Sequence, residues 1–563
     1  MIRLAVRYPV ALTVLLATVW TVGCLGAELP STELAGHWPL VGDARDHSPG
    51  GRDAIVKGAV DFKAVGPASR PNTAAAFNGR DTWLEVPLGR EQPLGHGDFS
   101  LSLWAHSDDK LDDVPGDLTS QYDVATRRGF QLTLKTNAGV TTSQANLRQL
   151  QFGIDNGRQS DWTDCGRPGQ AILAFALATY DGQLYAGTCE PGADQSGRVD
   201  RYAGGKEWTD CGAPATCNSV TALAECDGKL YAGVGKYRLG GSALTESPNT
   251  NLGGRVLRYD GGAQWVDCGQ LPGVEAIGGL VEFRGALYAT SLYRPAGFFR
   301  YEGGTQWTDC GTPGVRVEAL AVYNGHLYAS SYDGGRVFRF DGTKWTDCGQ
   351  LGAAADNSQT YSFAVQRGRL YVGTWRSGRV YRFEDVGRWT DVGRLGEELE
   401  VMGMLVHNGR LIAGTLPLAE VYEYDGSESW RRLTRLDHTP DVTYRRAWTM
   451  AEARGRVFCS TLPSGRIYST SLGTSAMADR ALSAGWHHLS AVKSGGRLRL
   501  FVDGRQIAES GAFDPADYDL TSAAPLRIGS GENDVWHGRI ADVRWYRRAL
   551  EADEIRELAE RRP

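Results

Sequence analysis

Beyond its first 27 residues the chain has no apolar run long enough to cross a bilayer, and nowhere does it cluster lysines and arginines. The first absence excludes a helical transmembrane segment in the mature protein. The second, with a formal charge of −6, excludes a nucleic-acid partner. Also missing are G-x-S-x-G, H-E-x-x-H, a P-loop and the G-x-G-x-x-G dinucleotide fingerprint, so no catalytic residue is assigned.

What the chain does have is glycine, 72 residues of it, and a repeat that uses it. The fullest copy, 316–349, reads RVEALAVYNGHLYASSYDGGRVFRFDGTKWTDCG. An apolar segment runs to an Asn-Gly or Asp-Gly turn, followed by LYAGT-like, GRVYRYDGG-like and WTDCG-like segments. The last is marked by Trp162, Trp208, Trp265, Trp307, Trp345, Trp389 and Trp430, at spacings of 38 to 57 residues. Four β segments between tight turns at this period predict the blade of a β-propeller. Each segment type occurs seven times, but the order is rotated: Trp162 precedes the first blade, and the last blade stops after Ile467. The chain therefore predicts seven blades over 158–470, with the Trp162 strand completing the last blade and hiding the ring's open edges. Entry and exit then lie side by side, as an inserted domain requires.

The flanks read as a host. HWPLVGDARDHSPG from His37, AAFNGRDTWLEV from Ala75 and DFSLSLWAHSDD from Asp98 precede the repeats. WHHLSAVKSGGRLRLFVDGRQ from Trp486, PLRIGSG from Pro525 and HGRIADVRWYRRALEADEIRELAE from His537 follow them. Most alternate at period two, as half-buried antiparallel strands do. In this order they resemble the laminin-G-like, concanavalin A-like jelly-roll family, in two parts at 31–157 and 471–560. The fold class is then all-β, a jelly-roll sandwich split by an inserted seven-bladed propeller. The repeats also look kelch-like, best at Tyr259-Asp260 with Trp265 and Tyr424-Asp425 with Trp430, but they lack the kelch diglycine after the second strand. For the jelly roll, the resemblance implies sugar binding or an accessory role outside the cell, and a Ca2+ site with oxygen ligands at Asp46 and Asp542. A solvated turn is the alternative there.

Residues 1–27 carry Arg3, Arg7 and an apolar run from Ala11 to Trp20, the pattern of a signal peptide. Cleavage after Ala27, or lipid anchoring at Cys24 in the box-like Thr-Val-Gly-Cys24, predicts an exported protein: extracellular, periplasmic or at the cell surface. Of the 10 cysteines, Cys165, Cys211, Cys268, Cys310 and Cys348 share one register that Val392 and Leu433 occupy in other copies, which marks a small apolar packing site. Cys226 and Cys459 read as buried thiols. Cys189 and Cys217 open on the same propeller face and are the disulfide candidate. The Asp of WTD and the Arg of GRV recur too often to be catalytic and are assigned to strand-end hydrogen bonding.

Residues that differ between blades are better candidates for binding, because loops on a rigid scaffold carry function. Tyr237, Arg238, Tyr293, Arg294, Tyr332, Asp333, Trp375 and Arg376 follow the second strands of four neighbouring blades. Aromatic faces suit sugar rings, and arginine forks suit hydroxyls or carboxylates. The sequence thus predicts an exported, non-catalytic binding protein for carbohydrate or a protein ligand. The alternatives are a polysaccharide-active enzyme, hydrolase or lyase, with its site at the propeller mouth, and a structural part of an envelope assembly.

Overall fold

The computed structural model describes residues 31–87, 94–108, 110 and 112–563; the segment expected to be a signal peptide, with Cys24, lies outside the described residues. The protein is all-β, and its two sandwich sheets interleave strands from both flanks. In one sheet His537–Tyr546 lies between Ala74–Asn78 and Phe99–Ser107, and Gly485–Ser494 pairs with the far side of Phe99–Ser107. In the other, Leu526–Ile528 lies between Trp83–Val86 and Gly116–Asp123. Neither flank can close this sandwich alone. Its core joins Trp38, Phe99, Phe130, Phe152, Trp536 and Trp545, all at most 1 % exposed. Among the described residues no helix is long and apolar enough to cross a membrane.

Between the flanks the strands form a closed ring of seven four-stranded units, a β-propeller. Successive inner strands pack against each other, and Leu173–Tyr180 meets Arg446–Ala453 to close the circle. Thr163–Asp164 pairs with Ile467–Thr470, with Thr163 opposite Ser469 and Asp164 opposite Tyr468, so the last unit is completed by the earliest strand.

The repeated residues are the joints of this ring. Indole N–H groups of Trp208, Trp265, Trp307, Trp389 and Trp430 donate to the carbonyls of Cys165, Cys211, Cys268, Cys348 and Val392 in the preceding blade, at 2.8–2.9 Å. The recurring Asp accepts the N–H of the glycine two residues on, as in Asp267 with Gly269 (2.9 Å). Its other oxygen meets the GRV arginine, as in Asp391 with Arg379 (2.8 Å). Gly269 sits at φ +108, and a Cβ there would come 2.5 Å from the Thr305 carbonyl oxygen. The Trp162 indole N–H, by contrast, is buried with no acceptor among the described residues. Trp265→Phe should therefore cost about 1–3 kcal/mol by stranding the Cys211 carbonyl, and Trp162→Phe clearly less. Urea midpoints of the two variants test this, and equal costs would contradict it.

A long sandwich hairpin, Arg128–Val140 with Ser143–Gln159, runs into the propeller channel from one end. At its tip Thr142 Oγ1 donates to Thr221 O (2.6 Å), and the Thr142 carbonyl accepts Leu280 N–H (3.1 Å). Thr449 Oγ1 donates to Val140 O (3.0 Å). Further down, Glu452 takes Lys135 Nζ at 2.7 Å, Asn137 Nδ2 at 2.7 Å and His407 Nδ1 at 2.5 Å, with Lys135, His407 and Glu452 all essentially inaccessible. A second buried group joins Arg410 and Glu423 of the propeller to Asp155 and Arg127 of the sandwich. The two domains are thus locked by a polar plug, a stronger constraint than two linkers.

Candidate functional site

With one end plugged by the hairpin, the other end of the channel opens into a cavity of about 360 Å³. It is lined by Tyr237, Arg238, Tyr293, Arg316, Tyr332, Tyr361, Arg446 and Trp448, among others. Of the residues predicted from sequence, Tyr237, Arg238, Tyr293 and Tyr332 are in this wall. Asp333 is one layer behind, held by Arg316 Nη2 (2.8 Å) and Arg294 Nη2 (3.0 Å). Trp375 packs edge-to-face on Tyr444 (6.2 Å) outside the lining, and Arg376 lies on a different cavity with Asp356, Arg379 and Asp391.

The wall is stiff. Tyr237 OH bonds Ser242 Oγ (2.8 Å), and its ring meets Phe175 edge-on at 4.8 Å. Trp448 donates to Phe175 O (2.8 Å) and packs on the same ring. Tyr332 and Tyr361 meet edge-to-face at 5.2 Å. Arg238 lies over Tyr293, 4.3 Å from the ring centre, and pairs with Glu275 (2.7 Å). Burial raises the phenols of Tyr237, Tyr293, Tyr332 and Tyr361, so the wall is of neutral hydroxyls.

Sequence reasoning missed the cation in this wall, Arg446, and the acids behind it. Glu318, fully enclosed, is pushed up to about 8 by burial, although Tyr332 and Arg316 pull the other way. Burial also raises Glu400, whose Oε2 is 3.7 Å from Arg446 Nε. The signal was available. In register, the inner-strand position that is Leu173 in one blade is Gln359, Glu400 and Arg446 in others. Charges at a start position that another copy fills with leucine mark a surface facing the channel.

Other expectations need correction. Cys189 and Cys217 are both free and buried: Cys189 lies opposite Ser219 in the ladder, and the Cys217 thiol turns to the Ser219 carbonyl (3.7 Å). Burial raises the Cys217 thiol to about 11, so it behaves as a packed hydrophobe. The carboxylates assigned to calcium are occupied by protein donors. Asp46 accepts His37 N, Ser48 N and Oγ, and Arg52 N, while Asp542 holds His37 Nε2 (2.7 Å) and the Arg544 guanidinium. Asp46 is only 8 % exposed, so its carboxylate is a buried hydrogen-bonding centre under a loop whose other residues are mostly exposed.

A larger cavity, about 600 Å³, lies between the domains beside Arg148, Glu225, Glu282 and Arg480, where burial pushes both glutamates up to about 7. Tyr180 is its only aromatic among the lining residues, so it lacks the stacking surfaces of the mouth.

The family model of the concanavalin A-like lectin/glucanases superfamily matches residues 442–556, which span the last three blade strands and most of the second sandwich flank. No curated protein matches. Among solved structures, a catalytically inactive virginiamycin B lyase from Staphylococcus aureus with quinupristin is 10% identical, with 56% of this chain and 100% of that chain covered, at TM-score 0.43. YCF48 from Cyanidioschyzon merolae is 12% identical, covering 55% and 99%, at TM-score 0.39. The extracellular domain of a putative hybrid two-component system from B. thetaiotaomicron is 12% identical, covering 63% and 53%, at TM-score 0.40.

Proposed function

We propose that this is an exported binding protein that recognises carbohydrate at the open propeller mouth, with the jelly roll as scaffold and second contact surface. One observation carries the proposal: Tyr237, Tyr293, Tyr332, Tyr361 and Trp448, from separate blades, converge on one cavity with arginines between them. Its volume falls within the roughly 300–1,000 Å³ of small-molecule sites. Rings for stacking beside fixed hydroxyl and guanidinium donors are the chemistry a sugar uses. The lectin/glucanase match of the second flank supports the same ligand class. A glycan array followed by calorimetry tests it: binding is expected, and Tyr293→Ala should weaken it at least several-fold. A chain that binds no glycan, or binds equally without Tyr293, would refute the site.

A polysaccharide-active enzyme is the second reading, favoured by Glu318, a carboxyl held protonated near neutral pH as a general acid must be. Release of new reducing ends that disappears in Glu318→Gln would replace the binding proposal with this one.

A further inference from the structure

Of the three arginines lining the mouth, two are satisfied. Arg316 grips Asp333 through Nε and Nη2, and Arg238 pairs with Glu275. Arg446 differs. It is 6 % exposed, yet among the described residues its Nε and Nη1 find no hydrogen-bond acceptor, and the nearest carboxylate oxygen, on Glu400, stays 3.7 Å away. Its guanidinium is bordered by the rings of Tyr444 and Trp448, with centres 5.6 and 5.7 Å from Cζ. Leaving buried donors unmet is costly, and such groups in a cavity wall mark where a ligand supplies the acceptor. Glu318 Oε2, behind Tyr332, is likewise buried with no hydrogen-bond partner among the described residues.

We infer that the ligand of the mouth is an acidic sugar, and that its carboxylate is received by Arg446. This deepens the carbohydrate assignment and rests on it. A carboxylate supplies two oxygens in one plane, and a flat group suits a guanidinium flanked by two aromatic rings better than a tetrahedral sulfate does. The sugar hydroxyls then face the tyrosine wall.

The test is calorimetry of the full secreted chain with digalacturonic acid, diglucuronic acid, their neutral counterparts galactobiose and cellobiose, and galactose sulfate. A uronic disaccharide should bind roughly 10- to 100-fold more tightly than its neutral partner, the effect of charge-assisted hydrogen bonds. Arg446→Gln should remove that preference, and Arg446→Lys should restore part of it. The comparison within the wild-type protein needs no variant and decides the matter even where Arg446→Gln destabilises the fold. Equal binding of neutral and acidic sugars would overturn the inference and leave the carbohydrate site standing. Preference for the sulfate would overturn the carboxylate. No binding by any sugar would defeat the carbohydrate assignment itself.

Discussion

Glu452→Gln should lower the stability of the whole chain by about 3–5 kcal/mol at neutral pH, the usual penalty for breaking a buried ion pair from one side. Glu452 is the hub of the plug between sandwich and propeller. Burial works against its charge, but Lys135 and the His407 hydrogen bond hold its carboxyl down at about 2. The amide would leave the Lys135 ammonium buried opposite a neutral group. A carboxyl whose native pKa lies below its ordinary 4.5 adds stability above that value, and the contribution fades as pH falls towards 2. Wild type and variant should therefore differ most above pH 5 and converge near pH 2. Urea unfolding across that range measures it, and a difference below about 1 kcal/mol at pH 7 would mean that the pair contributes little to the docking. The double replacement Lys135→Met with Glu452→Leu, which removes the Lys135 charge but leaves Asn137 and His407 short of an acceptor, should recover part of the loss.

Glu318→Gln should do the opposite and stabilise the protein in mild alkali. The Glu318 carboxyl, raised from 4.5 to about 8 by burial, binds its proton more tightly in the native state than in the unfolded one. Between those values the folded chain holds the extra proton, so its stability falls as pH rises, by up to about 1.4 kcal/mol per pH unit. The amide has the same shape and no proton to lose. The variant should match wild type near pH 5 and exceed it by several kcal/mol, on the order of 4, at pH 8. A flat difference between pH 5 and pH 8 would show Glu318 already ionised, and the role of acid or donor at the mouth would go with it. The same variant bears on function, because a binding site loses one hydrogen-bonding partner whereas an enzyme loses turnover.

The half of the site on the loops was legible before folding. Tyr237, Arg238, Tyr293 and Tyr332 stand out because they break a repeat whose other positions hold still, and the structure brings them to one wall. Of their neighbours chosen by the same pattern, Trp375 packs against the mouth cluster without lining the cavity and Arg376 lies on a different cavity, since residue order in a loop does not say which way a side chain turns. Arg446, Glu400 and Glu318 were missed for a different reason. Glu400 and Arg446 begin inner strands and Glu318 lies two residues before one, places that read as core when blades are taken one at a time. That face becomes a cavity only when seven such strands meet around an axis.

The hairpin plug was invisible for a related reason. Thr142, Ser143, Gln144 and Asn146 form a polar run at a strand turn, the usual mark of a solvated tip, yet all are at most 2 % exposed. Their partners, such as Thr221, Glu225 and Thr179, belong to two inner strands further along the chain, Ser219–Cys226 and Leu173–Tyr180.

Local chemistry written along the chain was enough for strand type, the repeat, the clasp of Thr163 onto Ser469 and the splitting of the sandwich, because turns and alternation act over a few residues. Which side chains share a cavity, which charges are paired, and that one domain reaches into the other were decided only by ring closure. Those contacts join residues from different blades and from both sides of the insertion, and no short-range pattern encodes the angle at which distant strands meet.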